Sequence, residues 1–123
     1  MIKKIKLLEI YNSKNALQNL MKEKMSISLN YDINKLIKTV EVELNYIENQ
    51  RNLLVNKYST DNSVQKKVDE DKMEFFVKEF NELLLKEIEF NFNPISTKAL
   101  NLEKICISGI DFYCIECFLN KDD

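Results

Sequence analysis

An α+β fold that is mostly α is what this sequence predicts: a long antiparallel helical hairpin, a small sheet of about three short strands, and short N- and C-terminal helices. Three observations carry that expectation. Apolar residues at Ile33, Ile37, Val40, Leu44, Ile47, Leu54 and Tyr58 are spaced 4, 3, 4, 3, 7 and 4, the period of a helical seam, and Arg51 sits on the one seam position that interrupts it. One Gly and one Pro in 123 residues leave few obligatory turns, which disfavours a many-stranded sandwich or barrel. Around Ile88 the apolar period switches from helical to alternating, so the chain also contains strand.

With 45% hydrophobic and 31% charged residues, the chain is expected to form one domain over residues 1–123, built around one core. Residues 30–58, read as one helix, span roughly 43 Å at about 1.5 Å per residue. A compact chain of 123 residues has a diameter of about 35 Å. This helix is therefore as long as the domain.

In chain order, Ile2 to Ile10 is rich in β-branched and apolar types and reads as a short strand. Asn12 or Ser13 then offers an N-cap to a short helix whose stripe is Ala16, Leu17, Leu20, Met21 and Met25, ending near Met25. Ser26 to Leu29 is a tight connection, and Asn30 or Asp32 caps the long helix. On a helical wheel the seam occupies one face of that helix, and Tyr31, Val42, Tyr46 and Leu53 form a thinner stripe on the other. Two readings of this second stripe stay open. The burial tendency of such residues favours a stripe covered by the short helix or the strands. The sharper reading is an exposed surface for a partner, and it makes Tyr31, Val42, Tyr46 and Leu53 the candidate contact residues. Arg51 either reaches Glu48 one turn back or extends its head to solvent over apolar neighbours.

From Ser59 to Asp71 periodicity is lost and turn formers and charges accumulate, which predicts a solvated loop with a ragged hairpin around Val64 to Val68. Met73, Phe76, Val77, Phe80, Leu83, Leu84 and Ile88 then share one face of a second major helix. Its Phe76, Phe80 and Leu84 are expected to meet the long helix's seam and to make most of the core. Ile88, Phe90 and Phe92 alternate with polar residues until Pro94, a second strand. After a turn or short helical piece over Ser96 to Leu102, the run Lys104 to Ser108 reads as a third. Ser108 with Asp111 resembles a capping box, opening a terminal helix with the stripe Ile110, Tyr113, Cys114, Cys117 and Phe118.

Much chemistry is excluded by composition. Without a histidine, Ser-His-Asp and Cys-His nucleophiles, His-bearing zinc sites and imidazole acid-base work are out of reach. A single glycine, Gly109, builds no phosphate-cradling loop. Cys114 and Cys117 form a CxxC and Cys106 adds a third thiol, but a closed zinc site needs a fourth ligand that the chain lacks. A redox pair belongs at a helix N-terminus, whereas these cysteines fall in the middle and last turn of an apolar helix. They read as small buried hydrophobes. No catalytic residue, metal site or cofactor is expected. The balance of 18 basic against 20 acidic residues sets up no field toward phosphate backbones or anionic lipid, so nucleic acid is an unlikely partner. No secretory signal or membrane-spanning run is visible, and three clustered cysteines suit a reducing cytoplasm.

Several motifs carry a resemblance. The run Asn15-Ala-Leu-Gln-Asn-Leu-Met is followed by Leu29-Asn-Tyr-Asp-Ile-Asn-Lys-Leu, by Glu41-x-Glu-Leu and by Glu48-x-x-Arg51-x-x-Leu54-x-x-Lys57-Tyr58. Further on come Glu74-x-Phe76-x-x-Glu79-Phe80-x-Glu82-Leu-Leu, Phe92-Asn-Pro-Ile and Ile107-Ser108 before a short terminal helix. Together they resemble a family of small uncharacterised bacteriophage and prophage proteins of low-GC Gram-positive bacteria, over nearly the whole chain. Where members of that family often carry Leu-Pro before the long helix, this chain has Ser26-Ile27-Ser28-Leu29. The resemblance implies a phage setting and no site residues. The expectation is a non-catalytic phage accessory protein acting through protein contacts in the host cytoplasm. The alternative is a structural or assembly component of the virion, and a homo-oligomer is left open by the sequence.

Overall fold

The first ten residues show how local and tertiary forces divide this chain. In the computed structural model, which describes residues 1–60 and 67–120, β1 covers Ile2–Lys6 and α1 follows without a linker over Leu7–Leu20. The expected strand to Ile10 is thus cut short, and the expected cap at Asn12 or Ser13 lies inside the helix. Leu7, Ile10, Ser13, Ala16, Leu17 and Leu20 recur every three or four residues and are all buried, and that one-sided stripe outweighs the strand propensity of Ile2–Ile10. Ser13 is the only buried polar side chain among the described residues, and its hydroxyl donates to the Ile10 carbonyl at 2.7 Å. It costs little as a result. The helix closes at Leu20, before Met25, because Lys22 and Glu23 turn back to donate to the Asn19 and Leu20 carbonyls.

Helix α2 runs from Ile27–Lys57, about 46 Å of rod. Its N-cap is Ser26, not Asn30 or Asp32: the Ser26 hydroxyl oxygen accepts from the Leu29 N–H at 3.2 Å, which satisfies one of the first-turn donors. The Asn30 side chain is engaged with Asn34 instead. Glu103, far along the chain, completes the cap, accepting the Ser26 N–H and hydroxyl on its two carboxylate oxygens at 2.5 and 2.8 Å. A carboxylate there also faces the positive end of the helix dipole. On the inner face Leu29, Ile33, Leu36, Val40 and Ile47 are buried, with Ile37 and Leu44 packed beside them. Arg51 pairs with Glu48 at 3.9 Å, an exposed contact of small value.

The expected loop hairpin around Val64 to Val68 falls mostly outside the described residues. At the neck of this connection the Asp69 N–H donates to the Tyr58 carbonyl at 2.9 Å. A 3-10 turn over Glu70–Lys72 leads into α3, Met73–Leu84. Helices α2 and α3 form the hairpin: Lys57 pairs with Glu79 at 2.9 Å, and the Tyr58 and Phe75 rings stack 6.2 Å apart. This contact is not, however, most of the core. In α3 only Leu84 is buried, Phe80 and Leu83 being half-covered, because α1 lies between the remaining elements and takes the larger contacts. Tyr11 of α1 meets Phe80 edge to face at 5.7 Å.

The strand after α3 is β2, Glu87–Asn91, antiparallel to β1 with Ile5 opposite Ile88 and Lys4 opposite Glu89. Inward residues Ile5 and Phe90 enter the core, while Lys4, Lys6, Glu87 and Glu89 share the solvent face with opposite charges directly across. The run Lys104 to Ser108 is not a strand. Its Ile105 and Ile107 are half-buried while their neighbours are exposed, the alternation of a strand without a ladder partner. The second sheet is instead β3, Ile95–Ser96, parallel to β4, Leu119–Asn120. Between them lie α4, Thr97–Leu102, capped by Ser96, and α5, Gly109–Ile115, capped by Ser108 through the Asp111 N–H at 3.1 Å.

The end of α4 is closed by an interlocked pair of bonds. The Ile105 N–H donates to the Leu100 carbonyl at 3.0 Å and the Lys104 N–H to the Asn101 carbonyl at 3.1 Å, with Lys104 at φ 54°. This is the Schellman arrangement, whose left-handed position is usually glycine.

The terminal helix keeps part of the expected stripe, Phe118 with Cys114 and Cys117, and adds Ile115 and Leu119 to it. Ile110 and Tyr113 are exposed and Cys114 and Cys117 half-buried, while Ile115, Phe118 and Leu119 point inward. Helix α5 lies against α1, where Asn19 donates to Asp111 at 3.1 Å. Its following 3-10 turn, Glu116–Phe118, brings Phe118 into a three-ring cluster with Phe90 and Phe92, centroids 5.3 to 6.0 Å apart. Aromatic packing of this kind adds to the area buried.

Candidate interaction surface

A helix that buries one face in a small core presents the opposite face to solvent unless another element covers it. In α2 the covering elements all lie on the Leu29, Ile33, Leu36, Val40 and Ile47 side. The four residues of the second stripe are left outside: Tyr31 is 64% exposed, Val42 67%, Tyr46 43% and Leu53 59%. The alternative in which the short helix or the strands cover them does not hold. At 100° per residue they fall within a strip about 60° wide, and Tyr31 and Leu53 lie roughly 33 Å apart along the axis. The strip is narrow, straight and longer than it is wide.

Its N-terminal end extends further than the sequence suggests. Ile27, one turn before Tyr31, is 91% exposed on the first residue of α2. Expecting the helix to start at Asn30 hides it, and the signal that recovers it is Ser26 as a cap three residues before Leu29. On the same wheel the exposed Lys35 falls within the strip, between Tyr31 and Val42, and the exposed Lys38 falls beside it.

The cysteines lie elsewhere and are all free thiols. Burial, with Glu9 adding to it and Lys3 opposing, pushes the Cys117 thiol up to about 12. At neutral pH it is protonated and a poor nucleophile. The expectation of buried cysteines fails for Cys106, which is exposed, while Cys114 and Cys117 are half-buried. Among the described residues no three His, Cys, Asp or Glu side chains converge as a metal site, and no helix is long and apolar enough to cross a membrane. Beside the strip's far end, the Lys57–Glu79 hydrogen bond holds the Glu79 carboxyl below its ordinary range and the Lys57 ammonium above its own. It is a surface ion pair joining the two arms of the hairpin.

No family model, no curated protein and no solved structure matches this chain.

Proposed function

We propose that this chain is a phage-encoded, non-catalytic accessory protein that acts in the host cytoplasm by binding another protein through the outer face of α2. The observation that carries the reading is the exposed strip of Tyr31, Val42, Tyr46 and Leu53 on the longest helix. Aligned apolar and aromatic side chains facing water mark contact sites more often than isolated ones do, and tyrosines supply a large share of binding energy at protein interfaces. The phage setting rests on the motif resemblance. The absence of histidine and the protonated state of Cys117 support a role without catalysis.

A photo-crosslinking residue in place of Tyr46, in chain expressed during infection, tests the reading. A discrete protein adduct should form in infected cells and disappear on Tyr31→Ser with Leu53→Ser, two exposed changes that leave thermal unfolding nearly unchanged. An adduct that survives both changes removes the surface from consideration. Recovery of the chain in purified particles at fixed stoichiometry replaces the accessory role by a virion component.

A further inference from the structure

Among the described residues strand β1 is paired on one side only. In an antiparallel ladder alternate residues bond to the neighbour and the others direct their N–H and C=O groups to the opposite edge. Here the Phe92 N–H donates to the Met1 carbonyl and the Leu7 N–H to the Lys86 carbonyl, so odd-numbered residues face β2. The backbone groups of Ile2 and Lys4 therefore point to the outer edge.

A groove of about 960 Å³ runs along that edge. Lys3, Lys4 and Lys6 line it and no residue of β2 does, while Leu119 and Asn120 form part of its far wall. Successive residues of a strand project to opposite faces, so a space that both Lys3 and Lys4 line lies at the strand's edge. The gap thus separates the unpaired edge of one two-stranded sheet from the end strand of the other.

We propose that this edge accepts an extended acidic and apolar segment of a partner protein as an added strand. The chain shows which sequence β1 pairs with: Glu87-Ile-Glu-Phe-Asn91 places Glu89 opposite Lys4 and Glu87 opposite Lys6, with apolar residues turned inward. Lys4 and Lys6 also line the groove along the free edge, with Glu9 and Glu116 in its wall, while its third lysine, Lys3, donates to the Cys117 carbonyl at 3.3 Å. A guest with the same alternation sets carboxylates beside Lys4 and Lys6 and apolar side chains toward Leu8 and Cys117. A second copy of β1 is disfavoured there, since it sets lysine against lysine. The edge and the α2 strip are separate surfaces, and either can fail alone.

The test is fluorescence polarisation with the full chain and a dye-labelled seven-residue peptide of alternating valine and glutamate. Three comparisons accompany it: the same peptide with lysine for glutamate, the acidic peptide N-methylated at alternate residues, and the acidic peptide against Lys4→Pro. Proline at position 4 removes an outward donor and none that β2 uses, a substitution edge strands tolerate. The acidic peptide should bind saturably, and each comparison should weaken binding at least tenfold, while Tyr46→Ser leaves it unchanged. The proposal is overturned if the acidic peptide does not bind. It is equally overturned if the N-methylated peptide binds as well as the plain one, since attraction is then ionic without strand addition.

Discussion

Replacing Lys104 with glycine should stabilise the fold, and the amount follows from one backbone angle. Lys104 sits at φ 54° between two cap bonds that both need it there. A residue with a Cβ in that region carries a steric cost of roughly 1–2 kcal/mol, which glycine does not. Against this, glycine raises the entropy of the unfolded chain by about 0.4–1 kcal/mol. The expected net gain is about 0.5–1 kcal/mol relative to Lys104→Ala, the comparison that also removes the lysine charge near the helix C-terminus. For 123 residues the unfolding entropy is roughly 260 cal/mol/K, so the glycine variant should melt about 2–4 °C above the alanine variant. Calorimetry or a circular dichroism melt resolves that difference. A glycine variant no more stable than the alanine one refutes the assignment of strain to this position.

Removing the Glu103 carboxylate with Glu103→Ala should cost about 1 kcal/mol by undoing the Ser26 cap, and a double-mutant cycle with Ser26→Ala in urea should show coupling of about 0.5 kcal/mol or more. Lys4→Glu should destabilise the β1–β2 ladder by roughly 0.2–1 kcal/mol, and adding Glu89→Lys should restore most of it in the same titration, because the two residues lie directly opposite. With a disulfide reagent at pH 8, Cys106 should react first and Cys117 last in single-cysteine variants, since a thiol at about 12 is almost entirely protonated there. The contribution of the Lys57–Glu79 pair, read as wild type minus Glu79→Gln in urea titrations, has a defined pH window. Glu79 is held below 4.5 and Lys57 above 10.5, so the contribution should be present between those values. It should fade as pH falls through the folded-state value of Glu79 or rises through that of Lys57.

Glutamate 103 also shows what a linear reading misses. Nothing in the spacing of residues 26 and 103 pairs them, because a cap acceptor supplied from across the molecule exists only once α4 has been placed beside the start of α2. Serine is as good a capping type as the Asn30 and Asp32 expected from the sequence, so propensity alone leaves Ser26 in the connection. Helix α1 is a similar case. Its stripe begins at Leu7, inside a run whose β-branched and apolar residues also suit a strand, and only the pairing of Ile2–Lys6 with β2 settles where strand yields to helix.

The seam and second stripe of α2, the alternation of Ile88, Phe90 and Phe92, the Ser108 cap and the lack of imidazole chemistry all belong to the sequence itself, because period, cap and composition are local quantities. What the tertiary structure decided is which stripe goes inward. Ile33, Val40 and Ile47 are buried in a helix that α1 and α3 pack against, and Tyr31, Val42, Tyr46 and Leu53 are exposed since no described element covers them. The same holds for Ile105 and Ile107, which alternate like a strand but find no ladder partner, while Leu119 and Asn120 do. Burial and pairing are properties of two segments brought together, and neither segment carries that information alone.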